Sequence, residues 1–262
     1  MISSTANARV KNVASLQKKS KERRNQGLFV IEGRKLFEEV LRDAPEAIHE
    51  VYVTEAYLEQ MTYKLPGTIS YEIVTDNVMK AMAETMEPQG VLATVRIPQY
   101  DKEALLQKKD AVWIALEDLR DPGNLGTILR TAEAAGVTGV LLSDSSVDMY
   151  NPKVVRSTMG AIFRVPHFYQ SDFLEELDGM KERGAILYAA HLRGEQYYDE
   201  PEYHGCSVIL IGNEANGLSD EASKKANCLV KIPMEGKAES LNAAVATSLF
   251  VYEVYRKRRK RG

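Results

Sequence analysis

Apolar positions along the chain follow two rhythms. In residues 7–19, Val10, Val13, Ala14 and Leu16 lie on one side of a short helix, and a charged run over 18–24 follows. Residues 27–32 (GLFVIE) read as a strand and Gly33 as a turn. Residues 34–42 read as a helix with Leu36, Phe37, Val40 and Leu41 at helical spacing. Strands over 48–54, 69–74 and 91–97 alternate with helices over 55–61 and from Thr75, the latter with Asp76 in its first turn. This is an α/β unit of common domain size. Residues 99–110 are polar and charged, and read as a partly helical linker.

From Ala111 strand and helix alternate. The strands expected are 112–116, 137–142, 163–166, 185–190, 207–211 and 228–232; the helices are 125–135, 152–159, 172–183, 219–226 and 241–256. Such alternation predicts a mostly parallel sheet covered by helices. The expected organisation is an α/β chain with a first domain over 1–98, the linker over 99–110 and a second domain over 111–262.

Ligands of open α/β sheets bind outside the carboxyl ends of the strands. Three loops there carry unusual residues. In the first, LRDPGNLG, Gly123 and Gly126 permit close backbone approach, and Asn124 is placed to cap the next helix. That helix carries Ile128, Leu129, Ala132 and Ala135 at helical spacing, has Arg130 within it, and stops at Gly136. The loop matches neither GxGxxG nor GxxxxGK[ST], which excludes a dinucleotide-dependent oxidoreductase or a P-loop on spacing.

The second loop holds Gly212, Asn213, Glu214, Asn216 and Gly217, with Ser219 or Asp220 as the cap beyond it. A carboxylate at this place either orients a substrate hydroxyl, takes up its proton, or stands in solvent as an ordinary turn residue. The third loop runs through Pro233 and Gly236 to Ser240, a potential cap for a long helix with Asn242 in its first turn. Capping by Ser240 leaves the choice of Asn242, a weak helix former, unexplained.

Composition narrows the class. The chain is 44% hydrophobic and 27% charged, as expected of a soluble globular protein. It has no apolar run long enough to span a membrane, and its first residues lack the apolar centre of a signal peptide. Cys206 and Cys228 form no CxxC spacing and are expected reduced, in a cytoplasmic protein. His49, His167, His191 and His204 are scattered, so no metal is expected.

The net charge of −3 hides an uneven distribution. Residues 1–35 carry nine basic side chains against two Glu, and residues 256–261 are all basic. Two basic ends on an acidic body point to localised contact with a polyanion, or to solvated termini. The candidates for phosphate contact are Lys18, Lys19, Lys21, Arg23, Arg24, Arg34 and Lys35.

The segments LEDLRDPGNLGTILRTAEAAG, ILIGNEANGLS and KIPMEGKAESLNAAVATSLFVYE, in this order, resemble the three motifs of the SpoU (TrmH-like) branch of the SPOUT RNA methyltransferases. NPKVVRSTMGAIFRVP between the first two is also typical, and GLFVIEGRKLFEEVL is similar to the family's ribosomal-protein-L30-like substrate-binding domain. The resemblance implies a SPOUT trefoil-knot domain and 2′-O-methylation of a ribose in structured RNA, with S-adenosyl-L-methionine as donor.

Ribosomal RNA is favoured over tRNA, because a separate N-terminal domain is present and long basic extensions are absent. A non-catalytic RNA-binding or ribosome-assembly protein of the same fold is the alternative. By the same resemblance, Gly212, Ile232, Leu241, Ala190 and His191 hold the cofactor, and Asn124, Ser240 and Asn242 orient ribose or cofactor. Arg130 corresponds to the proposed catalytic arginine, and a homodimer brings it to the partner's site. A guanidinium is a poor base, so a clamp on phosphate or developing alkoxide suits Arg130 better, with Glu214 or an RNA phosphate as proton acceptor.

Overall fold

The computed structural model describes residues 1–62, 65–67 and 69–259. In chain order its elements are α1 (Ala8–Lys18), α2 (Ser20–Gln26), β1 (Leu28–Glu32), α3 (Arg34–Asp43), β2 (Ile48–Val53), α4 (Glu55–Gln60), β3 (Tyr71–Ile73), α5 (Asp76–Met82) and β4 (Val91–Arg96). There follow α6 (Lys102–Leu106), β5 (Val112–Leu116), α7 (Pro122–Ala134), β6 (Gly139–Ser143), α8 (Pro152–Ser157), β7 (His167–Gln170), α9 (Phe173–Glu182) and β8 (Ile186–Ala190). The chain ends through β9 (Gln196–Tyr197), β10 (Ser207–Ile211), α10 (Asp220–Lys225), β11 (Cys228–Lys231) and α11 (Ala243–Arg259).

Two compact units result. The first comprises Met1–Gln99 together with Asp148–Phe163. Its sheet has the order β1-β4-β2-β3, antiparallel except for β2 with β3. The apolar face of α1 (Val10, Val13, Leu16) packs with Met79 and Met82 of α5 over Val30, Tyr52 and Leu92. The charged run over 18–24 forms no extension of α1. The helix breaks at extended Lys19 and restarts as α2, which Gly27 ends in the left-handed region.

The segment Asp148–Phe163 docks on this unit through α8 against β1, and the Phe29 ring lies 4.9 Å from Tyr150 and 6.0 Å from Phe163. Arg23 secures it. The guanidinium, 3% exposed, donates to the carbonyls of Leu16 (2.6 Å) and Gln17 (3.1 Å) and pairs with Asp148 at 2.5 Å.

The second unit, Tyr100–Val147 with Arg164–Gly262, holds a seven-stranded, wholly parallel sheet of order β7-β6-β5-β10-β8-β11-β9. The central strands, VWIAL in β5 and SVILI in β10, are buried throughout, as continuous apolar runs between helical layers should be. Gly139 in β6 makes room for Trp113, because a Cβ there would fall 2.5 Å from the indole ring.

The expected strand over 163–166 is not formed. Ala161–Phe163 is a 3-10 turn, and the edge strand is β7, which begins after Pro166. A short buried apolar run looks alike in a strand and in a turn packed on a core, and AIF is the latter.

Candidate active site

The loops after β5, β10 and β11 meet through carboxylates and amides. Glu117, just past β5, accepts from the N–H (2.7 Å) and hydroxyl (2.6 Å) of Ser219, whose own oxygen caps α10. Asn213 donates to the Asp118 carbonyl at 2.8 Å and accepts from the N–H groups of Ala215 and Asn216. The turn between β10 and α10 is therefore folded back on itself. Only glycine fits at its base, since a Cβ on Gly212 would come within 2.0 Å of the Gly217 backbone.

Glu214 stands at the centre. Its carboxylate accepts from the N–H groups of Arg120 (3.1 Å) and Asp121 (2.9 Å) and from the Asn124 amide (3.0 Å). Asn124 in turn accepts at 2.8 Å from the Asn242 amide, whose oxygen caps α11 at the N–H groups of Ala244 and Val245. One relay, Glu214–Asn124–Asn242, thus ties the second loop to α7 and to the start of α11. Burial opposes ionisation of Glu214, but the three donors outweigh it and hold the carboxyl below its usual range. A carboxylate so committed is a poor proton acceptor, which corrects that expectation for Glu214.

Two caps are also corrected. Asp121, not Asn124, caps α7, with its carboxylate accepting from Asn124 N–H at 2.7 Å. Pro122 at the first helical position, where no N–H is needed, was the signal for that cap in the sequence. Asn242, not Ser240, caps α11, which explains an Asn at that place.

Beside the relay lies a cleft of about 270 Å³. All five expected cofactor residues line it: Ala190 at the end of β8 with His191 just beyond, Gly212 after β10, and Ile232 and Leu241 in the loop after β11. Glu214 and Ser240 also face it, and Ile211, Met234 and Phe250 extend its apolar wall. The sequence reading missed Lys231 and Glu239, which add a charge of each sign to the lining. Among the described residues no group of three His, Cys, Asp or Glu side chains is placed to hold a metal.

Arg130 is not in the lining. It stands exposed on α7, with no hydrogen bond or ion pair among the described residues. Next to it, Thr131 bonds Ser248 of α11 at 3.0 Å. Of the basic N-terminal residues, Lys18, Lys19, Lys21, Arg24 and Lys35 are exposed and Arg34 is half-buried. Arg23 is committed to its internal ion pair, so a phosphate contact by Arg23 is corrected. In the basic tail, Arg256 pairs with Glu253 and Arg258 donates to the Gly205 carbonyl at 2.7 Å. Lys260 and Arg261 lie outside the described residues.

These features define an α/β protein of two compact units, with a cleft at the carboxyl ends of the parallel sheet of the second. Residues 111–252 match the SpoU rRNA methylase family, and residues 7–93 match the MRM3-like substrate binding domain. RlmP of Bacillus subtilis, a 23S rRNA (guanosine(2553)-2′-O)-methyltransferase, is 32% identical over 97% of this chain and 98% of its own. The SpoU methyltransferase AviRb of Streptomyces viridochromogenes, solved with AdoMet, superposes with a TM-score of 0.84 at 25% identity, covering 97% of this chain and 98% of that one. An AdoMet-bound rRNA methyltransferase of Sinorhizobium meliloti gives 0.81 at 31% identity, covering 97% of each chain. The chain belongs to the SpoU rRNA methylase family.

Proposed function

We propose that this protein transfers a methyl group from S-adenosylmethionine to a ribose 2′-hydroxyl of ribosomal RNA. The observation that carries the reading is the Glu214–Asn124–Asn242 relay beside the strand-end cleft, in a chain whose relatives include an rRNA 2′-O-methyltransferase and two AdoMet-bound structures.

The lining fits the donor. Apolar Ile211, Ile232, Leu241 and Phe250 suit an adenine and a thioether-like chain, while Lys231 and Glu239 oppose the charges of an amino-acid end. Bound there, the cofactor supplies an electrophilic methyl group. The chain's own residues do the rest. Gly212 and the relay fix the loops, so that the ligand meets a preorganised wall. Ser240, on the rim, orients ribose or cofactor. Arg130 stabilises the alkoxide or the adjoining phosphate through its planar, cationic fork.

Arg130 lies outside the cleft of its own chain, and a homodimer supplies it to the partner's site. Val245 and Tyr252 leave an apolar stripe, 49% and 47% exposed, on α11, the helix that packs along the Arg130-bearing α7. A trefoil knot of the C-terminal unit fits the strand order, with β10 inserted between β5 and β8 and α11 returning to α7 and β10. A cytoplasmic location suits an rRNA substrate. Among the described residues no helix is long and apolar enough to cross a membrane.

The test maps 2′-O-methylation across total rRNA and tRNA with and without the protein. An rRNA site lost in its absence is expected; a lost tRNA site alone would move the substrate. Arg130→Lys keeps the charge and loses the fork. It is expected to retain cofactor affinity by calorimetry and to lose tenfold or more of methyl transfer, about 1.4 kcal/mol or more of transition-state stabilisation. Full methylation by this variant would sink the clamp.

A further inference from the structure

A second cleft, of about 660 Å³, lies within the first unit, far in sequence from the motifs of the methylase site. It is lined by Arg34, Tyr57, Gln60, Lys80 and Gln89, with the carboxylates Asp76 and Glu87 also on its wall. We infer that this cleft holds one unpaired nucleotide of the RNA substrate, with its base edge against Gln60 and Gln89 and its phosphate on Arg34 and Lys80. The inference rests on the RNA-methylation reading for the identity of the polymer and names the feature the first domain selects.

The cations are the first argument. The Arg34 guanidinium lies over the Tyr57 ring, 5.2 Å from its centroid, and donates to the Gln60 carbonyl. Neither Arg34 nor Lys80 has an ion-pair partner among the described residues, although Asp76 and Glu87 share the wall. Arg34 is thus preorganised by a ring and an amide while its charge is left unneutralised, which favours an anion brought from outside.

The polar edges are the second. Gln60 is exposed at the cleft. The carbonyl of Gln89 is taken by Arg34 N–H at 2.9 Å, and its amide nitrogen has no partner among the described residues. A free amide and two carboxylates are donors and acceptors of the kind an unpaired base needs along its hydrogen-bonding edge. The base edge of a paired duplex has no such opening, because its donors and acceptors already face one another.

The third is a rigid rim. Gly33 and Gly90 adopt φ of +96° and +78°, and a Cβ on Gly90 would fall 2.6 Å from Thr54 Oγ1. Glu32 receives the N–H groups of Glu84 (2.8 Å) and Thr85 (3.3 Å). Between these anchors the loop presents Met86, 94% exposed. An apolar side chain held in water on a fixed loop suits a wedge against an unstacked base.

Fluorescence anisotropy of the full-length protein tests this with a fluorescein-labelled RNA hairpin bearing an unpaired loop, the fully paired duplex of the same stem, and free 5′-GMP and 5′-AMP as competitors. The hairpin is expected to bind about tenfold more tightly than the duplex. Arg34→Ala and Met86→Ala, a surface change that leaves the fold intact, are each expected to remove most of that difference. Cofactor binding by calorimetry should stay unchanged in both. Equal binding of hairpin and duplex, or variants that bind the hairpin as the parent does, would overturn the inference while the methylation reading stands. Competition by mononucleotides at the hairpin's own concentration would overturn it too, in favour of a free-nucleotide site. Loss of methylation from the parent protein, with hairpin preference intact, would instead strike the methylation reading alone.

Discussion

Asn124 shows how much one side chain can hold. It donates to Glu214 and accepts from Asn242, so both partners depend on its amide having two different ends. Asn124→Asp keeps the shape and reverses one end. The new carboxylate meets Glu214 at about the same 3.0 Å, and two like charges at that distance cannot both ionise freely. Methyl transfer is therefore expected to fall most at high pH and to recover partly as pH drops and the pair takes up a proton. A pH profile parallel to that of the parent would sink this account of the relay. His167 is the contrasting case, a buried histidine with no part in the site. Burial lowers its pKa to about 4, although its Nδ1 donates to the Val165 carbonyl. The unfolded chain binds this proton below about 6.5 and the folded chain only below about 4. Its contribution is thus full above pH 6.5 and lost as pH falls towards 4, by about 3 kcal/mol at most. Urea unfolding at pH 7 and pH 5 should show the loss, and His167→Leu should flatten the slope; an equal slope in the variant would assign the proton uptake elsewhere.

Among the elements, the sequence disclosed those whose burial is complete and whose neighbours are apolar on both faces. β5 and β10 read directly from VWIAL and SVILI, whereas the five expected cofactor residues, all of which line the cleft, came from the resemblance of the loop motifs to a known family. β9, two residues long, carries no periodic signal, and α2 (SKERRNQ) has no apolar face to announce a helix. Caps were legible as residue types but not as positions. Asp121 and Asn124 are both good caps, and only the bonds that Asn124 makes elsewhere assign it to the relay. α11 has the opposite problem, since its sequence reads as an ordinary amphipathic helix while the fold leaves Val245, Tyr252 and Tyr255 in water. Placing Glu at Val245 and Tyr252 removes the proposed interface without touching a buried side chain, so the fold should change by less than about 0.5 kcal/mol per site. Sedimentation should then report monomers with unchanged circular dichroism and methylation greatly reduced. Monomers that methylate normally would show that Arg130 acts within its own chain.

At the scale of the whole chain, the sequence suggested two domains in series, and the path is more involved. The chain leaves the second unit at Val147, gives Asp148–Phe163 to the first, and returns at Arg164. Nothing local in NPKVVRSTMGAIF indicates this, because an apolar helix face does not say which core it joins. The consequence bears on truncation. Cutting at residue 99 removes Arg23, the buried partner of Asp148, and Phe29, the ring beside Tyr150 and Phe163. Val154 and Val155, buried in α8, lose the β1 strand on which that helix packs. Exposing side chains of this size costs about 1.5–3 kcal/mol each, a sum that reaches the low end of an ordinary domain's stability. A fragment of residues 99–262 is therefore expected to bind a hydrophobic dye, to unfold at lower urea than the full chain and to aggregate, even though every cleft-lining residue is present. Adding the cofactor should recover only part of the stability, since mass action acts on the cleft and not on the stranded segment. If the fragment instead matches the full chain in urea midpoint and cofactor affinity, Asp148–Phe163 can find cover without the first unit, and the two halves are separable after all.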